Sequence, residues 1–123
     1  MKRPVHFEIL ADSPEKVSAF YSEVLEWEVN RWGEGEQTYW LLTTGPDETP
    51  GINGAIMGRS FEQAVINTIE VESLEETLKK VSAAGGKTVH GPNEVPGVGV
   101  HAYCADPEGN LFGLMEPLPD MEG

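Results

Sequence analysis

Residues 5–15 read Val5-His-Phe-Glu-Ile-Leu-Ala-Asp-Ser-Pro-Glu15, and residues 65–75 read Val65-Ile-Asn-Thr-Ile-Glu-Val-Glu-Ser-Leu-Glu75. A shift of sixty positions sets Val5 on Val65, Ile9 on Ile69, Ser13 on Ser73 and Glu15 on Glu75. Carried further, it sets Ser22 on Ser82 and Val29 on Val89, so about six of twenty-five positions agree without a gap. Each stretch is a short apolar run that stops at polar residues suited to start a helix. A slightly different shift sets Ala55-Ile-Met57 on Gly113-Leu-Met115, each after a proline-containing loop. Agreement at both ends of the period predicts a tandem duplication.

Reading outward fills in the unit. Val5 to Leu10 predicts a strand. Asp12, Ser13, Pro14 and Glu15 predict a helix start, with Asp12 or Ser13 as cap and a capping-box spacing from Asp12 to Glu15. Val17, Phe20, Tyr21, Val24 and Leu25 then paint one helix face, ending near Glu26. Trp27–Trp32, Thr38–Thr44 and Ile52–Met57 read as three strands, with turns at Gly33-Glu-Gly35 and Gly45 to Gly51. The second half follows the same plan. Val65–Val71 is a strand, and Ser73 with Glu76 opens a helix lined by Leu74, Leu78 and Val81. That helix stops at Gly85-Gly86. Lys87–His90, Val98–Ala105 and Leu111–Met115 complete it. The expected fold is α+β: tandem βαβββ repeats in one domain over residues 1–123, the first about 4–59 and the second about 63–118.

Composition narrows the partners. Apolar residues make up 39% and charged residues 24%, values of a globular chain rather than a disordered one. Asp and Glu outnumber Lys and Arg by 21 to 8, a formal net charge of −13. That field repels phosphate backbones, so no nucleic acid is expected as partner, and it favours a cationic or neutral ligand. No apolar run is long enough to span a bilayer, and the amino terminus leads into no signal-like core, so no membrane partner is expected. Cys104 is the single cysteine, which fits a reducing compartment and a cytoplasmic location. It sits in an apparent strand, where a buried thiol is the ordinary outcome.

Four pieces carry a family resemblance: Val5-His-Phe-Glu-Ile9, Ala19-Phe-Tyr-Ser-Glu-Val-Leu25, Ala83-Ala-Gly-Gly-Lys87, and Asp106-Pro-Glu-Gly-Asn-Leu-Phe-Gly-Leu-Met115. Through them the chain resembles the vicinal oxygen chelate superfamily of glyoxalases, bleomycin-resistance proteins and extradiol dioxygenases. The resemblance implies the glyoxalase-like fold, a curled mixed sheet around a ligand-binding cleft, with two chains commonly pairing as a homodimer. In metal-dependent members each half supplies one ligand from its first strand and one from its last. Carried onto this chain, those positions are His6, Ala55, Ile66 and Gly113. Catalytic divalent metals take about three donor side chains, and of these four only His6 has one. The expectation is therefore no metal and no cofactor at the inherited site.

Other residues remain as candidates for holding a ligand. Strand alternation puts Glu8 on the face of His6, and Thr68 and Glu70 on the face of Ile66. A histidine–carboxylate pair can act as acid and base or hydrogen-bond a ligand. Either Tyr39 or Trp40 must face inward, and Trp40 is carried as the aromatic wall, core packing being its alternative. His101 shares a face with Tyr103, as a second titrating group or a rim histidine. The ligand-binding candidates are thus His6, Glu8, Trp40, Thr68 and His101. Arg59 is a further possible anchor for an acidic group. No nucleophile elbow and no phosphate-cradling loop is present. The leading expectation is a glyoxalase-like protein that binds a small molecule without the family's metal. The alternatives are a lyase, isomerase or dioxygenase with an unconventional ligand set, and a protein that sequesters a cationic drug.

Overall fold

The computed structural model describes residues 2–35 and 38–119. They form two compact units, Val5–Ile66 and Asn67 onward, the latter joined by the residues up to Pro4. No helix among the described residues is long and apolar enough to cross a membrane.

The N-terminal unit holds β1 (Pro4–Ala11), α1 (Pro14–Leu25), β2 (Glu28–Trp32), β3 (Tyr39–Thr43) and β4 (Asn53–Gly58). Its strands lie in the order β2-β3-β4-β1, with β1 parallel to β4 and the other pairs antiparallel. Alternation splits the sheet into two faces. Phe7, Ile9 and Ala11 join Trp40, Leu42 and Ile56 beneath α1, meeting Val17, Tyr21 and Trp27. Tyr21 stacks on Trp27 at 5.1 Å with the rings 9° apart, an arrangement worth about 0.5–1.5 kcal/mol beyond its buried area.

Two local expectations fail here for identifiable reasons. Ser13 is the N-cap residue of α1 but its side chain makes no cap hydrogen bond. Asp12 does not complete a capping box either, because its Oδ1 takes the Arg59 Nε–H at 3.0 Å. Arg59 is thereby held at the end of β4, with its own amide donating to the Ala11 carbonyl. The apolar stripe of α1 is also wider than the surface that covers it. Packing centres on Val17 and Tyr21 with Ser18 buried beside them, so Phe20 and Val24 stay more than half exposed.

The C-terminal unit holds β5 (Val65–Glu70, whose first two residues fall in the other unit), α2 (Leu74–Ala83), β6 (Lys87–Val95), β7 (Gly99–Ala105) and β8 (Leu111–Pro117). The order β5-β8-β7-β6, with β5 parallel to β8, repeats the plan of the first unit. The registers repeat as well. Glu8, Ile9 and Leu10 lie beside Ala55, Ile56 and Met57, and Thr68, Ile69 and Glu70 lie beside Gly113, Leu114 and Met115. This is the duplication that the two sequence shifts predict. Val71, Leu74, Ala102, Cys104 and Leu114 form the core under α2. β6 runs five residues past the expected stop at His90. Register irregularities between Thr88 and Asn93 absorb Gly91 and Pro92, which would otherwise break the ladder. Gly91 has φ 95°, and a Cβ there would lie 2.8 Å from the His101 carbonyl oxygen. Only glycine suits that bulge.

Candidate functional site

The face of the N-terminal sheet turned away from α1 carries His6, Glu8 and Leu10 on β1. In register beside them lie Asn53, Ala55 and Met57 on β4, then Leu41 and Tyr39 on β3. His6 and Glu8 thus share a face, as alternation requires. Glu8 is 8% exposed, which makes it the most buried carboxylate of the described residues. Burial pulls the His6 pKa below its ordinary value, because loss of water disfavours the imidazolium. A neutral imidazole offers one donor and one acceptor nitrogen, so it can take a proton or hold a ligand's polar group. Farther along the same face, Tyr39 stacks on Trp32 at 5.9 Å and 25°. Sequence reasoning did not single out Asn53, although its register places it beside His6.

Trp40 stands on the other face. It pairs with Ile56 and Arg31, packs into the core under α1, and carries the Arg31 guanidinium 5.7 Å above its ring. It therefore does not join His6 and Glu8. Of the two neighbours on β3, Tyr39 lies on the face of His6 and Glu8, because Leu42 must share Trp40's face to fill the core.

Thr68 and His101 meet in the C-terminal unit. Thr68 on β5 lies beside Gly113, which lies beside Tyr103. His101 leans along β7 toward the same spot. A Cβ built on Gly113 would sit 2.8 Å from His101 Nε2 and 2.9 Å from Thr68 Oγ1. Both polar atoms thus crowd the space that a side chain at 113 would need. Tyr103 meets the His101 ring edge-on at 4.5 Å and 77°, and His90 on β6, its partner in register, lies with its ring 6.5 Å from that of Tyr103. Thr68 is 3% exposed, so its hydroxyl is part of the interior of this face. His90 was absent from the sequence candidates. The missing signal was the register of β6 on β7, which sets His90 beside Tyr103 across an irregularity after Thr88.

The positions that the resemblance assigns to metal ligands do not suit a metal. Ala55 and Ile66 are buried hydrocarbon at 4% and 0% exposure, and the space over Gly113 is taken by Thr68 and His101. Among the described residues, no group of three or more His, Cys, Asp and Glu gathers to hold an ion. The inherited set offers one imidazole, short of the three or so donors a divalent catalytic ion takes.

Cys104 lies on the helix-covered face, fully buried. Burial pushes its thiol pKa up, and a hydrogen bond with Thr88 offsets this in part. A protonated, inaccessible thiol is a packing residue.

A family model described as the Glyoxalase/Bleomycin resistance protein/Dioxygenase superfamily matches residues 3–114. The chain is 30% identical over 114 residues to "Putative glyoxylase CFP32" of Mycobacterium bovis and of Mycobacterium tuberculosis. That match covers 91% of this chain and 43% of each relative, so the chain spans less than half the length of these relatives. Among solved structures it resembles hypothetical protein BH1468 from Bacillus halodurans, with TM-score 0.70, 17% identity and 99% of both chains covered. It also resembles methylmalonyl-CoA epimerase from Mycobacterium tuberculosis, with TM-score 0.69 and 14% identity over 94% of this chain and 88% of that one. At such identities these two likenesses speak for the glyoxalase-like fold alone.

Proposed function

This chain belongs to the Glyoxalase/Bleomycin resistance protein/Dioxygenase superfamily, and we propose that it is a member that binds a small organic molecule without a metal at the inherited ligand positions. The observation that carries this reading is the crowding at Gly113. Restoring a carboxylate there would require both His101 and Thr68 to move. The scaffold stays regular around the altered positions, with both parallel registers kept. What remains on the two faces is hydrogen-bonding and aromatic: His6 and Glu8 in one unit, Thr68 and His101 in the other. Such groups orient a ligand by donors, acceptors and ring stacking rather than by chelation. The reading includes pairing of two copies and a cytoplasmic location.

A thermal-shift screen of small neutral and cationic organic compounds tests it. Stabilisation that persists in excess chelator supports the proposal, since a ligand bound only to the folded state raises the melting point. Stabilisation that vanishes with chelator overturns it.

A second reading, sequestration of a cationic drug, draws on the net charge of −13 and the Trp32–Tyr39 stack. Aromatic faces attract cations and an acidic field concentrates them. Binding of a cationic ligand should then weaken markedly as salt rises, whereas binding that ignores salt contradicts this reading.

A further inference from the structure

On its helix-covered side the C-terminal unit keeps a groove of about 350 Å³ between α2 and the sheet. That size falls within the range of small-molecule pockets, about 300–1,000 Å³. Leu74 and Leu78, one helical turn apart, form one wall, and Pro92 of β6 and Val100 of β7 form the other. The groove lies on the opposite face of the sheet from His101, because Val100 alternates with it and packs with Ala102, Cys104 and Leu114. Glu75, Lys79 and Glu116 complete the lining. The Lys79 ammonium is held by Glu75 at 3.8 Å. Glu116 is half-buried, and its Oε1 accepts the Leu74 amide at 2.8 Å. A carboxylate has about four acceptor positions, so that one bond leaves Glu116 able to accept from a ligand. Register extends the acidic side, since Glu94, Val100 and Glu116 lie in one row across β6, β7 and β8 and share a face. Three carboxylates thus border the hydrocarbon walls, against one ammonium.

We propose that this groove binds a small organic cation, its hydrocarbon body against Leu74, Leu78, Pro92 and Val100 and its ammonium on Glu116. Apolar walls favour a hydrocarbon body because contact removes both surfaces from water. An ammonium donates to a carboxylate in a charge-assisted bond, about twice as strong as a neutral one. Glu94 in the same row and the net charge of −13 add to the attraction. An anion would instead meet Glu116 and Glu94, with Lys79 already held by Glu75. The positive end of α2 is met by Glu116 and by Glu75 and Glu76 in its first turn, so it does not turn the site toward anions. The proposal goes beyond the metal-free reading. The groove shares no residue with His6, Ala55, Ile66 and Gly113, so its failure would leave that reading standing.

The test is an NMR titration of the whole protein with phenethylammonium, with 2-phenylethanol as the uncharged comparison and 3-phenylpropionate as the anionic one. Methyl signals of Leu74, Leu78 and Val100 report the groove, and the Trp32 indole signal reports the aromatic stack in the other unit. Phenethylammonium is expected to shift the three sets of methyl signals saturably, with the alcohol and the carboxylate binding about tenfold more weakly or worse. Glu116→Gln keeps an acceptor for the Leu74 amide and removes the charge. It should weaken phenethylammonium about tenfold and 2-phenylethanol far less. Raising salt to about 0.5 M should also weaken the cation on the wild type, which decides the matter if the variant fails to fold. Equal affinity for the three compounds, an unchanged affinity in Glu116→Gln, or shifts confined to Trp32 would overturn the site. Methyl shifts that follow protein concentration alone would overturn it too, since a second copy would then be the occupant.

Discussion

Glu116, on the last strand, caps the second helix: its Oε1 accepts the backbone N–H of Leu74 at 2.8 Å, forty-two positions away in sequence. The first turn of a helix leaves amide donors unsatisfied, and a carboxylate there also meets the positive end of the helix dipole. Glu116→Ala should therefore lower stability by about 1–2 kcal/mol, and Glu116→Gln, which keeps an acceptor, by less. Urea unfolding of the two variants checks the order.

The two helices differ in how they start, although their sequences align. Ser73 accepts from the Glu76 amide at 3.2 Å, whereas the Ser13 side chain caps nothing. Ser73→Ala should cost about 1 kcal/mol. Ser13→Ala should stay within about 0.5 kcal/mol. Equal losses in thermal or urea unfolding would contradict the difference.

Much of the fold was legible because the duplicated strands and helix starts repeat at a fixed spacing. The period needs no knowledge of packing, and the registers of β1 with β4 and β5 with β8 agree with it. What could not be read is what depends on distant partners. Asp12 is spent on Arg59, forty-seven positions away, so the capping box from Asp12 to Glu15 does not form. Phe20 fits the apolar stripe of α1 yet stays exposed, because the sheet beneath covers only the side centred on Val17 and Tyr21. The candidate site was legible in part. Alternation put His6 with Glu8, but nothing local distinguishes Tyr39 from Trp40, and only the demand of Leu42 and Ile56 for a core neighbour decides between them. The convergence of Thr68 and His101 on Gly113 needs three strands and so has no one-dimensional signature.

Trp40 separates packing from binding. Trp40→Ala should cost about 2–3 kcal/mol, below the range for fully buried tryptophans, because the ring is half-buried. Per folded molecule, its affinity for a ligand on the opposite face should stay unchanged. A stable variant that has lost ligand would return Trp40 to the site.

His6 gives a pH signature. Its folded pKa lies below the ordinary imidazole value, so in acid the unfolded chain binds a proton that the folded one resists. Stability rises with pH wherever the unfolded state holds more protons. The contribution is therefore fully present above the unfolded pKa and is lost as pH falls through the folded one. Between about pH 7 and pH 5, the wild type should lose more stability than His6→Gln, whose side chain does not titrate. Parallel stability curves for the two proteins would remove His6 from the buried groups.

The most direct measurement is the metal content of the purified protein, taken with its melting point in divalent ions and in chelator. A protein that needs no metal at His6, Ala55, Ile66 and Gly113 should carry none in stoichiometric amount and should melt at the same temperature throughout. One equivalent of tightly held metal, with melting lowered by chelator, would contradict it and make His6 the first ligand to replace.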